Sequence, residues 1–180
     1  MNLRDRRMEE EWQLLEALTS ANPRILAQIT RSSGEFRVVL KESPAWISEG
    51  SELRVEIEHT VRYVYPRYYP ALPIDGYFVR PIAHVNVDPV TGFVCLWERY
   101  QASQTIVDAV LITRAIMACR IANHDPAHCM QSVECAPLPD AQPFIVPEQC
   151  RPVLLCRKRR QRLSTGQMPQ EENRALSYIE

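Results

Sequence analysis

From residue 3 to residue 20 the apolar side chains fall at helical spacing. Met8, Trp12, Leu15 and Leu18 recur every three or four positions, while Arg6, Glu9, Glu10 and Glu16 fall mostly elsewhere, which predicts a helix with one face to be covered. Asn22-Pro23 ends it. The period then changes to two. Glu35-Phe36-Arg37-Val38-Val39-Leu40 reads as a strand, and Leu53, Val55 and Ile57 alternate with Glu52, Arg54, Glu56 and Glu58, predicting a strand with one buried and one wet face. Tyr63-Val64-Tyr65 is expected to extend this meander and Tyr77-Phe78-Val79 to close it. Pro66, Pro70 and Pro73 preclude regular pairing between them and predict a rigid, extended segment over the sheet. Residues 82 to 100 show no period and read as irregular loop. Ser103 is placed to cap a helix running from Gln104 to about Ile121, apolar on most sides through Ile106, Val107, Ala109, Val110, Leu111, Ile112, Ala115, Ile116 and Met117, as a buried central helix requires. Asn123-His124-Asp125-Pro126 terminates it. The expected class is α+β: an N-terminal helix, a roughly four-stranded antiparallel meander, a long loop and a central helix.

Past Ser132 the pattern breaks up. Pro137, Pro139, Pro143, Pro147 and Pro152 interrupt any long helix, Arg157-Lys158-Arg159-Arg160-Gln161-Arg162 is a basic run, and residues 163–180 are polar enough for a mobile end or a short helix. The expected division is a core over 1–132 and a proline-rich, then basic, extension over 133–180.

Composition narrows the function. A net charge of -1 supplies no overall field toward nucleic acid or an anionic membrane, which argues against a dedicated nucleic-acid binder. There is no apolar run of about 18 residues to span a membrane and no apolar signal-peptide core near the N-terminus, so a cytoplasmic protein is expected. Six cysteines without a mark of secretion are read as reduced thiols. With 14 prolines against 5 glycines, and neither a phosphate loop nor a dinucleotide fingerprint, a nucleotide enzyme is disfavoured and no cofactor is expected.

The chemistry concentrates in His84-Val85-Asn86-Val87-Asp88-Pro89-Val90-Thr91-Gly92-Phe93-Val94-Cys95-Leu96. Asn86 stands nine residues before Cys95 with a turn between them. Such a cysteine is either a thiolate nucleophile or a small buried hydrophobe. Asn86 is read as a donor to an oxyanion, as a side chain that pins the loop, or as both at once. His84 is expected to brace the loop. His124, His128, Cys129 and Cys135 lack paired zinc-ligand spacing, and no metal is predicted.

These motifs, in this order, resemble the ubiquitin-conjugating enzyme family. The matching pieces are Tyr69-Pro70-Ala71-Leu72-Pro73, His84-Val85-Asn86, Gly92-Phe93-Val94-Cys95-Leu96, Thr105-Ile106 and Ala122-Asn123, over roughly residues 5 to 132. Val85 and Leu72 replace family prolines, and the segment from Cys95 to Thr105 is short, with Trp97 or Tyr100 in place of the usual tryptophan. The two C-terminal helices of eukaryotic members have no evident counterpart. The pattern looks like the bacterial conjugating enzymes of ubiquitin-like operons, several of which serve antiphage defence. The resemblance implies that Cys95 accepts a ubiquitin-like protein from an activating enzyme and passes it to a lysine of a target protein, that Asp125 (or Asp88) orients that amine, and that Arg4, Arg6 and Arg7 lie on a docking face for the activating enzyme. The alternative within the same fold is an inactive module that binds the ubiquitin-like protein or its partners.

Overall fold

A computed structural model describes residues 2–139 and 142–151, so the basic run and residues 163–180 lie outside the described residues. Helix α1 spans Leu3–Ala21, with the Asn2 side chain accepting from the Asp5 N–H at its start. Strands β1 (Leu26–Ser32), β2 (Glu35–Leu40), β3 (Ala45–Glu49), β4 (Glu52–Glu56), β5 (His59–Val64), β6 (Asp75–Phe78) and β7 (Phe93–Val94) follow, then helix α2 (Ile106–Met117) and a single 3-10 turn at Glu148–Cys150. The main sheet runs β1-β2-β5-β6-β7, with antiparallel pairing at every step, and β3-β4 forms a separate hairpin. The architecture is the expected α+β one.

The pairing of β2 with β5 explains what the sheet buries. Phe36 lies opposite Tyr63 and Val38 opposite Val61, so one face stacks two apolar pairs, and Tyr63 reaches α2 by donating to Thr113 Oγ1 at 2.9 Å. Leu15 and Leu18 of α1 and Ile106, Val110 and Ile116 of α2 complete one continuous core with these residues. The strand expected at Leu53–Ile57 forms, but its alternation does not bury a face. Leu53, Val55 and Ile57 are 41%, 42% and 59% exposed. Because β4 pairs with β3 alone, its place in the meander falls to β5, whose His59, Val61 and Tyr63 are buried. Strand β1 escapes the sequence pattern because it is an edge strand, mostly exposed past Leu26.

Helix α2 begins later and ends sooner than its apolar run suggests. Thr105, not Ser103, caps it, in a reciprocal box with Asp108. It stops at Met117, Cys119 turning the chain through a left-handed φ of 50°. The described parts of the extension, residues 133–139 and 142–151, are fastened to the core. Ala136 O accepts from the Trp46 indole, Leu138 N donates to Ala118 O, and the Phe144 ring packs under Arg114 at 4.2 Å. Asn22, buried just past the end of α1, exchanges two hydrogen bonds with the Ile145 backbone.

One polar group inside this core joins all the parts. Glu11 is 1% exposed, on the apolar stripe of α1 four residues before Leu15. Its carboxylate accepts from Arg7 Nε, the hydroxyls of Tyr65 and Tyr69, and the backbone N–H of Ile106. Burial pushes this carboxyl up, and Tyr69, Arg7 and the Ile106 N–H oppose that shift in part by donating to the charged form. One of them is an orphan N–H at the start of α2, where negative charge is favoured. A glutamine would turn a donor toward donors. Glu11→Gln is therefore expected to lower unfolding stability by about 3 kcal/mol in urea denaturation, with Glu10→Gln within about 0.5 kcal/mol of wild type; equal effects would remove the hub.

Candidate active site

The motif of residues 84–96 folds as an irregular hairpin. Asp88 opens its turn by accepting from Val90 N, Thr91 N and Thr91 Oγ1, which holds its carboxyl below the ordinary range. Gly92 then takes φ 73°, where a β-carbon would run into the Phe78 carbonyl, so no other residue fits there. Beyond the turn, β7 joins β6, Val94 bridges to Val87, and Cys95 N donates to Asn86 O at 2.9 Å. The asparagine and the cysteine, nine residues apart in sequence, are thus cross-strand neighbours.

Against this hairpin lies the loop that follows α2. Asn86 Nδ2 donates to Asn123 O at 2.7 Å and to His128 O at 3.1 Å, while Asn86 Oδ1 accepts from Asn123 N at 2.7 Å. Both amide hydrogens are taken, so the side chain acts on the loop. His84 is buried. Its Nδ1 accepts from Asn86 N at 3.2 Å and its Nε2 donates to Ile121 O at 3.0 Å, which fixes one neutral tautomer. Burial lowers its pKa further, and the ring is a brace. Met130 N bonds Val85 O, and Gln131 Nε2 bonds Ile82 O and Val87 O, closing the far end of the clasp.

The clasp delivers His128. Its Nδ1 lies 3.2 Å from Cys95 Sγ. With the ring neutral and its proton on Nε2, the thiol donates to Nδ1, the arrangement of a nucleophile beside its base. Asp125 builds the turn that presents this histidine: its carboxylate accepts from Ala127 N, and its backbone oxygen from His128 N and Cys129 N. Nothing in the sequence spacing links Cys95 to a histidine 33 positions later. The available signal was two histidines, His124 and His128, just after the Ala122-Asn123 piece. Cys135 donates to Ala83 O and lies beside Cys119, away from the pair of Cys95 and His128.

A groove of about 460 Å³ opens beside the thiol, with Leu96, Ile112, Ile116 and Ile121 on its apolar side and Gln101 and Gln104 among its polar groups. Trp97 and Tyr100 hold its outer edge by donating to Ile74 O and Pro70 O. The α1 arginines are not part of this site. Arg4 donates to Tyr65 O and Pro66 O, Arg7 is turned inward to Glu11, and Arg6 stays exposed beside Glu10.

No family model matches the chain, and no curated protein does. Solved structures do. Human ubiquitin-conjugating enzyme E2 G1 is 20% identical, with a TM-score of 0.48, over 66% of this chain and 98% of its own. A putative ubiquitin-conjugating enzyme from Trypanosoma cruzi is 14% identical, with a TM-score of 0.49, over 68% of this chain and 80% of its own. The chain is similar to each of these two structures over about two thirds of its length. The chemistry of the site rests on its own geometry.

Burial pushes the Cys95 thiol up, the Trp97 N–H opposing it only in part. The free protein therefore stores a thiol, with the thiolate favoured as pH rises. Iodoacetamide labelling of Cys95, followed by peptide mass, should accelerate with pH and still climb above pH 9; a plateau reached below pH 7 would instead mark a standing thiolate–imidazolium pair.

Proposed function

We propose that the chain is a thioester-forming carrier: Cys95 accepts a ubiquitin-like protein from an activating enzyme and transfers it to an amine of a target protein. The observation that carries the acyl transfer is Cys95 Sγ at 3.2 Å from His128 Nδ1, at the mouth of the groove. The nature of the acyl group, and a cytoplasmic setting in bacterial antiphage defence, are supported by the motif resemblance alone.

In loading, His128 Nδ1 takes the thiol proton as Sγ attacks the incoming thioester carbonyl. The tetrahedral intermediate collapses, the donor thiolate leaves, and the imidazolium returns a proton to it. In discharge a neutral amine attacks the Cys95 thioester, Cys95 leaves as thiolate, and the amine nitrogen releases a proton to solvent or to His128. An extended C-terminal segment of the modifier fits the groove beside the thiol. Asn86 serves the reaction by positioning the His128 loop, and Asp125 by building that loop's turn; the Asp125 carboxylate, exposed at the surface, is the acidic group we assign to the incoming lysine. Arg6 is the α1 arginine left exposed for a partner. No ATP is consumed here, because activation precedes the carrier.

Incubation with an activating enzyme, ATP and a ubiquitin-like protein should yield a reducible adduct on non-reducing gels. Cys95→Ala should abolish it, and Cys95→Ser should give an adduct that resists reductant. Persistence of the reducible adduct in Cys95→Ala would dismiss the assignment. Asn86→Ala is expected to slow loading as well as discharge by about 10-fold or more, because it releases the His128 loop; slowed discharge with normal loading would show instead a donor used only on the tetrahedral oxyanion.

A further inference from the structure

Two thiols outside this mechanism sit where they can lock the His128 loop. Cys119 follows the last turn of α2 at a φ of 50°, a conformation that glycine or asparagine adopts at lower cost. The hydrogen bond from Leu138 N to Ala118 O folds the chain back beside it and brings Cys135 alongside. The Cys119 thiol hydrogen-bonds the Cys135 sulfur, and Cys135 Sγ donates in turn to Ala83 O at 3.0 Å. Both thiols line a second cavity of about 270 Å³, with His84, Val85, Ala122 and His124 around them. Neither lines the groove of Cys95.

We propose that Cys119 and Cys135 are a dithiol whose oxidation to a disulfide closes the loop carrying Asn123, Asp125 and His128. This site goes beyond the carrier reading and does not depend on Cys95. The cavity admits a small peroxide, and the step balances with hydrogen peroxide as oxidant. The Cys135 thiolate attacks one peroxide oxygen, the O–O bond breaks, and the departing hydroxide takes up the proton the thiol had released, leaving a sulfenic acid and water. The Cys119 sulfur then attacks the Cys135 sulfur, the S–O bond breaks, and the hydroxide leaves with the Cys119 proton as a second water. Burial pushes both thiols up, Cys119 to about 12 with the neighbouring Cys135 adding to it, whereas at Cys135 the Cys119 hydrogen bond opposes the shift in part, so Cys135 ionises first. The disulfide would span residues 119 to 135, whose present ties to residues 82–87 are hydrogen bonds alone, and would limit how far His128 can leave Cys95.

Full-length protein carrying Cys95→Ala, which keeps this test separate from the carrier reading, is treated with hydrogen peroxide and digested with trypsin and a glutamate-specific protease. Cleavage at Arg114, Arg120, Glu134 and Glu148 puts Cys119, Cys129 and Cys135 on different peptides. The expected product is Ala115–Arg120 joined to Cys135–Glu148, lighter by two hydrogens and released by dithiothreitol. Hydrogen exchange across residues 121–130 should slow in the oxidised protein, and Cys119→Ser should lose both effects. Linkage of Cys135 to Cys129 or Cys150, separate sulfinic acids on Cys119 and Cys135, or a correct link with unchanged exchange at 121–130 would each overturn the proposal.

Discussion

A single buried carboxylate ties the halves of this molecule together. Taking Glu11 out of water costs several kcal/mol, and only a full set of donors offsets it. Those donors come from three places: Arg7 on α1 itself, the tyrosines of the proline segment, and the first turn of α2. Satisfying one side chain therefore fixes the helix–helix contact and the path of residues 65–70 together. The consequence reaches the site. Pro70 O, held in place by this arrangement, accepts from Tyr100, and Ile74 O accepts from Trp97, so the chain just beyond Cys95 is tethered to the same segment.

The second constraint is carried by asparagines. Asn22 and Asn86 each use both ends of a buried amide to hold the backbone of a segment more than 30 positions away that has no strand partner there. Side-chain amides suit this because one group both donates and accepts, as a strand neighbour would. At Asn22 the result is a C-terminal extension fastened to the end of α1. At Asn86 it is a loop held against the hairpin of residues 84–96, which lets a histidine on irregular chain stand beside a thiol. His84 completes that frame as a neutral brace, its two nitrogens both committed.

Much of this was legible in the chain. The stripe of Leu15 and Leu18, the strand at Glu35–Leu40, the apolar helix and the Asn86–Cys95 pair follow from period, propensity and spacing, which are local. What escaped was set by distant partners. Leu53, Val55 and Ile57 alternate as a half-buried strand should, yet the face is covered only if a neighbour arrives, and β2 pairs past them with β5. Glu11 reads as one more acid in an acidic stretch, because three of its four donors lie 54 to 95 positions away. His128 was visible as a residue and invisible as a partner of Cys95 for the same reason. Asn86 was read as oxyanion donor, loop pin or both, and the two acceptors of its amide are the pinning contacts.

The account stands or falls on Cys95 and His128 working as one unit. Single-turnover transfer from a ubiquitin-like thioester to Cys95, followed by intact mass across pH 5 to 9, tests this most directly. If His128 accepts the thiol proton, His128→Gln should lose about 10²-fold in rate at neutral pH and follow a pH profile of different shape from wild type. Superimposable profiles for the two proteins would contradict it.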